Sequence, residues 1–162
     1  MQPNTKIAAS KILTLSGKQS MVKKWLLILL LACMATIFYY SWLPDPKLAS
    51  ETYLPVWLRH WSNEHFNLRT AIPFIGIGFL LEMWGSNPVP KKNTKAKVLG
   101  LLLHTVLAAL IVSVAEAGQY GIVNRHPDGM DILFGVLGSV SGALVFHTGT
   151  ALRKIKSKHY FF

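Results

Sequence analysis

Four long apolar stretches alternate with polar connections along the 162-residue chain. Residues 25–43 carry no charge, and residues 70–84 carry only Glu82. Residues 98–115 have His104 as their one titratable group, and residues 132–152 have His147. A helix rises about 1.5 Å per residue, so about 20 apolar residues cross a hydrocarbon layer of about 30 Å. Three stretches meet that length by themselves. The second is shorter, but its Pro73, Gly76 and Gly78 are tolerated more readily in membrane helices than in soluble ones. The pattern predicts an all-α integral membrane protein with four transmembrane helices, over about residues 25–43, 69–86, 98–120 and 128–152.

Composition agrees. Half the residues (51%) are apolar and only 15% are charged, against about 25% charged in a soluble domain. A single cysteine excludes an internal disulfide framework, and so few charges exclude general disorder. The net charge of +10 is unevenly placed. Lys6, Lys11, Lys18, Lys23 and Lys24 precede the first span, Lys91, Lys92, Lys95 and Lys97 join the second to the third, and Arg153, Lys154, Lys156 and Lys158 follow the fourth. These 13 bases fall on one face. The other face mixes Lys47, Arg59, Arg69 and Arg125 with Asp45, Glu51, Glu64 and Asp128. Basic connections stay cytoplasmic, so both termini, with basic tails over 1–22 and 153–162, are expected inside, and connections 44–68 and 120–129 outside. A nucleic-acid binder clusters its bases on a folded soluble face with a recognisable motif. Here they flank apolar spans, and the expected partner is anionic lipid rather than nucleic acid.

Two connecting regions add detail. Residues 1–20 are short of large apolar side chains and read as a cytoplasmic tail without fixed structure. Met21 followed by Lys23, Lys24 and an apolar run to Cys33 has the form of a lipoprotein signal, with Met21 as an alternative start. The run continues past Cys33 to Leu43, longer than a signal core of about 7–15 residues, so an uncleaved helix is expected. In the first outer connection, Val56, Trp57 and Trp61 fall close together on a helix after Pro55, which predicts a short interfacial helix anchored in lipid headgroups.

The candidate chemistry lies at the outer ends of the spans. Glu116 and Gln119 are three residues apart on one helical face. Arg125 follows, then Asp128 and Asp131 at the start of the fourth span, where acidic groups favour a helix N-terminus. Gly135, Gly138 and Gly142 run along that span, spaced so that backbones can approach closely in lipid. The third and fourth spans are therefore expected to form a tight Gly-rich hairpin. Its outer end would gather Glu116, Gln119, Arg125, Asp128 and Asp131, joined by Asn67 and Arg69 from the start of the second span. Three carboxylates against two guanidiniums leave this cluster one positive charge short.

Asn67, then Pro73 and Phe74 followed by glycines, Glu116 with Gln119, Arg125 with Asp128 and Asp131, and Gly138 with Gly142 together resemble the VanZ-like family. Its members are small bacterial membrane proteins named for a protein associated with resistance to the glycopeptide teicoplanin. The resemblance covers residues 67–145. The chain departs from the family pattern at Gly135, where the family usually has Asn, and by one extra residue before Gly76. The resemblance implies a place in the bacterial inner membrane and a cell-envelope role, and it marks Asn67, Glu116, Gln119, Arg125, Asp128 and Asp131 as functional positions. It supplies no reaction.

Three readings of the cluster stand side by side. In the first it is architectural, with Arg125 bridging Asp128, Asp131 or Glu116 to hold the hairpin closed. In the second it binds the polar head of an amphiphile, such as a lipid-linked envelope precursor or a lipopeptide-like antibiotic. In the third, Asp128 and Asp131 act with His126 or a metal ion to activate water on a lipid-linked substrate, as a hydrolase or transferase. Carboxylates without a pair of histidine ligands match hard metals only loosely, so no metal or cofactor is assigned. Elsewhere, His104 and His147 are each expected to hydrogen-bond a neighbouring helix, and Glu82 to snorkel toward Lys91 and Lys92. A conducting role for four spans would require a homo-oligomer or another membrane partner.

Overall fold

The structure, a computed structural model, describes the backbone of residues 3–86 and 94–159 and the side chains of residues 17–86 and 94–156. Among these residues the chain is all helical: α1 (Pro3–Ser41), α2 (Val56–Glu64), α3 (Phe66–Gly85), α4 (Thr94–Gly118) and α5 (Gly129–His159), with a 3-10 turn at Gln119–Gly121. α1, α3, α4 and α5 are long and apolar enough to cross a membrane. Such segments become helical because hydrocarbon offers no water to unpaired backbone N–H and C=O groups, and a helix pairs them internally. Leu27, Ile28 and Leu31 on α1, Leu102, Leu103 and Val106 on α4, and Leu133, Leu137 and Leu144 on α5 are all exposed. Apolar faces of that extent belong in lipid.

The long helices alternate in direction. Their ends gather into a basic end, where α3 stops and α4 starts, and an acidic end, where α4 stops and α5 starts. Phe74, Ile77 and Leu81 of α3 form the centre of the core with Ala108, Ile111 and Val112 of α4 and Leu26 and Leu30 of α1.

α4 and α5 pack together as the expected hairpin, with Gly135 against Val112, while Gly138 and Gly142 serve a closer backbone pair, α3 with α5. A Cβ added to Gly138 would meet the Ala71 carbonyl carbon at 3.0 Å, and one on Gly142 would meet Phe79 N at 2.8 Å. One on Gly78 of α3 would meet Ser139 Cα of α5 at 2.7 Å. Gly135 alone turns toward α4, against the Val112 side chain. At 3.6 residues per turn the three α5 glycines lie within about 60° of one another, so their face looks into the groove between α3 and α4. α3 brings small Ala71 and Gly78 to that groove and can come close. The branched methyls of Val112 hold α4 off.

The expected unstructured tail is corrected. α1 runs without a break from Pro3 to Ser41. Pro is suited to the first position of a helix, and only Gly17 interrupts the helix-forming residues before the span. The short helix expected in the first connection is present as α2. Val56 and Trp57 are each 70% exposed, while Trp61 turns inward and stacks on the His65 ring with centroids 5.3 Å apart. His65 breaks the helix between α2 and α3, adopting φ −125° and ψ 57° while its N–H reaches the Trp61 carbonyl. α3 then starts at Phe66, three residues before the expected span, and so carries Arg69 and Thr70 on its first turns.

Candidate functional site

At the acidic end a cavity of about 510 Å³ lies between α1, the first connection, α2, α3 and α4. Its floor is apolar, built from Ile37, Phe74 and Val112, and Arg69, Glu116, Gln119, Arg125 and Asp131 line its polar end. Ala32 and Thr36 of α1 and Ile72 of α3 line it too and are exposed. The cavity therefore opens sideways, through the face that the helices turn to lipid.

Each polar residue is held by a definite bond. Glu116 is buried, 5% exposed. One of its oxygens accepts from Gln119 Nε2 at 2.9 Å and the other from the Asp128 backbone N–H at 3.0 Å. Gln119, equally buried, also donates to Ser41 Oγ of α1 at 3.0 Å. Asp131 accepts from Thr70 Oγ1 of α3 at 2.7 Å. Trp42 Nε1 donates to the Ala115 carbonyl at 3.0 Å and fastens the end of α1 to α4.

The arginines do not bridge carboxylates, which corrects the architectural expectation for Arg125. Arg125 donates from Nε to the Leu43 carbonyl at 2.7 Å and from Nη2 to the Tyr40 carbonyl at 3.2 Å. Arg69 donates from Nη1 to the Pro46 carbonyl at 2.8 Å, and its guanidinium sits 5.3 Å from the centre of the Phe66 ring. Among the described residues neither guanidinium lies within 4 Å of a carboxylate. Carbonyls at the end of α1 and in the loop after it have taken that place. Burial, and then the nearby Arg69 guanidinium, pull the Arg125 pKa below its usual value, while Glu116, Asp45 and Asp131 oppose this. A guanidinium has five N–H groups, so both arginines keep further donors along the cavity wall.

The loop that holds them is organised by Asp45. Its carboxylate accepts from the backbone N–H groups of Lys47 at 2.9 Å, Ala49 at 2.6 Å and Ser50 at 3.0 Å. These bonds, Ser50's foremost and then Lys47's, hold its pKa below the usual carboxylate range. The buried Leu48 sits inside this turn with φ 53°.

Two expected members stand apart from the cavity. Asn67 is exposed on the first turn of α3 and does not line it. Asp128 is exposed and accepts from the Met130 N–H at 2.8 Å, as an N-cap of α5 does. With Asp128 outside, the cavity lining holds two guanidiniums, of Arg69 and Arg125, and two carboxylates, of Glu116 and Asp131. His126 is exposed as well. Among the described residues no three His, Cys, Asp or Glu side chains converge as metal ligands. The sequence reading missed Tyr40, Ser41, Asp45 and Thr70. Polar Ser41 and Thr70 at the span ends were the available signal.

A second polar cluster occupies the basic end and corrects the expected position of Glu82. The Glu82 side chain is 8% exposed, and its oxygens lie 2.7 Å from His104 Nδ1 and 3.0 Å from His147 Nε2. Each histidine does reach a neighbouring helix, and both reach the same carboxylate. Lys91 and Lys92 lie outside the described residues. The signal in the sequence was scarcity, since these are the only titratable groups in the second, third and fourth apolar stretches.

Compared with protein-family models, curated proteins and solved structures, the chain matches none.

Proposed function

We propose that this chain is a VanZ-like protein of the bacterial inner membrane, with both termini cytoplasmic. Its outward-facing cavity binds or screens an envelope amphiphile, either a lipid-linked precursor or a glycopeptide- or lipopeptide-type antibiotic, and so bears on antibiotic resistance. The observation that carries the reading is the build of the cavity. Its apolar floor ends in spare guanidinium donors and the Asp131 carboxylate, and its mouth at Thr36 and Ile72 opens on a lipid-facing side. An amphiphile has the same division into tail and head. The 13 bases at the opposite end support the outward orientation.

The full chain, purified from bacterial membranes in mild detergent, tests this by mass spectrometry of co-purifying lipid. Wild type should retain one amphiphile class above bulk membrane composition, and Thr36→Trp, which narrows the mouth, should lose it at an unchanged thermal midpoint. Equal lipid in both would defeat the binding reading. Reporters fused at Lys95 and Arg125 test the orientation, and a cytoplasmic Arg125 would overturn it. The bonds from Arg125 and Gln119 to the end of α1 favour a second reading, in which the cluster serves only to close that end of the bundle. Under it, Asp131→Asn and Arg125→Ala lose folded protein together with any change in envelope-antibiotic sensitivity.

A further inference from the structure

The cluster at the basic end is not used by the proposed function. It joins three helices that are far apart in sequence: Glu82 from α3, His104 from α4 and His147 from α5. Glu82 is the only one of the chain's seven acidic residues toward this end, among 13 bases, yet its close partners are imidazoles. Gly85 makes room for one of them, since a Cβ there would meet His104 Cε1 at 2.5 Å. The other is steadied by Phe146, whose ring stands edge-on to His147 at 5.5 Å and to Phe79 at 5.7 Å.

Charge counting gives the cluster a task. With both rings neutral, each in the tautomer that points N–H at Glu82, the three groups carry one negative charge. A buried, uncompensated charge is costly. One added proton on the outer nitrogen of either ring brings the total to zero, keeps both hydrogen bonds and makes one of them charge-assisted. Exposure is graded along the cluster: 49% at the His147 side chain, 20% at His104 and 8% at Glu82. His147 is therefore the most open member of the cluster. Among the described side chains, the other charged groups on the helices packed against α3 at this end are Lys18, Lys23 and Lys24 on α1, Lys95 and Lys97 on α4, and Arg153, Lys154 and Lys156 on α5. All but the half-buried Lys23 are exposed, so water and salt screen them over about 8–10 Å.

We infer that Glu82, His104 and His147 form a proton-binding site that locks the basic ends of α3, α4 and α5 together when it holds the added proton and loosens them when it releases that proton to water. If the folded chain binds one proton more than the unfolded chain, stability falls as pH rises. Histidine is the side chain whose charge changes across this range.

The test is the thermal midpoint of the purified full chain in lipid nanodiscs between about pH 5.5 and 8.5. The wild-type midpoint should fall over that range by roughly 3–5 °C for a proton held tenfold more tightly in the folded chain. Glu82→Gln and His147→Gln should flatten the curve. His60→Gln should keep it, because His60 pairs with Glu64 on the exposed face of α2. A flat wild-type curve, or a slope unchanged in both cluster variants, overturns the inference. Should those variants fail to fold, nitrogen NMR of the wild-type histidines decides. His104 and His147 titrating in one joint step supports the site. Two independent steps, or no titration, overturn it.

Discussion

Replacing Gly142 by Ala probes the α3–α5 seam at one of its tightest points. The new methyl would sit 2.8 Å from Phe79 N and 2.9 Å from the Ile75 carbonyl carbon, where ordinary contact begins at 3.4 Å. Both obstacles are backbone of α3, so no side-chain rotation relieves them. The Ile75 carbonyl oxygen lies nearer still, so the helices must part, and every close packing contact along the seam weakens with distance. Overpacking of this kind costs about 1–3 kcal/mol, or roughly 2–12 °C in the thermal midpoint of a chain this long. Gly149→Ala in the same helix is the control, because nothing lies within 4 Å of its added Cβ. Alanine there should be neutral or slightly stabilising, since glycine lowers helix stability by about 0.5–1 kcal/mol. Thermal unfolding of both variants in detergent checks the difference. If Gly142→Ala melts with Gly149→Ala, α3 and α5 are not in backbone contact and the assigned packing is wrong.

Two further outcomes follow from the acidic end. Because the Asp45 pKa is lowered on folding, its contribution is fully present above the unfolded value of about 3.9 and is lost as pH falls through the lower folded one. Hydrogen-exchange protection of the Lys47, Ala49 and Ser50 amides should therefore collapse only in acid and be absent at every pH in Asp45→Ala. Protection that survives in Asp45→Ala would refute its role. Arg125→Lys should cost about 1–2 kcal/mol, because an ammonium group cannot reproduce the fork that reaches the Leu43 and Tyr40 carbonyls at once. Denaturant titration measures this, and a neutral result would show that the fork does not hold the end of α1.

The spans were legible because hydrophobicity over some 20 residues is a strong, local signal. α2 was legible from Pro55 and its neighbouring tryptophans. Pairing was harder. Gly138 and Gly142 announce close approach, but nothing in their spacing says toward which helix. That depends on the partner's own small residues, Ala71 and Gly78 rather than Val112. The acidic-end residues were found by charge and depth, and Glu116, Gln119, Arg69, Arg125 and Asp131 do meet at the cavity. Their bonds were not legible. Charge counting pairs arginine with carboxylate, whereas both arginines bind carbonyls near the end of α1, and the turn that presents the Pro46 carbonyl exists only once Asp45 has folded its loop.

The α3–α5 seam also sets an order of assembly. α4 is synthesised between the two helices that fit most closely, so α3 enters the membrane before its partner exists. Until α5 arrives, the groove at Gly78 is filled by lipid, Thr70 lacks Asp131, and Glu82 has one imidazole rather than two. A nascent chain halted after α4 thus leaves both polar clusters incomplete, at Thr70 and at Glu82.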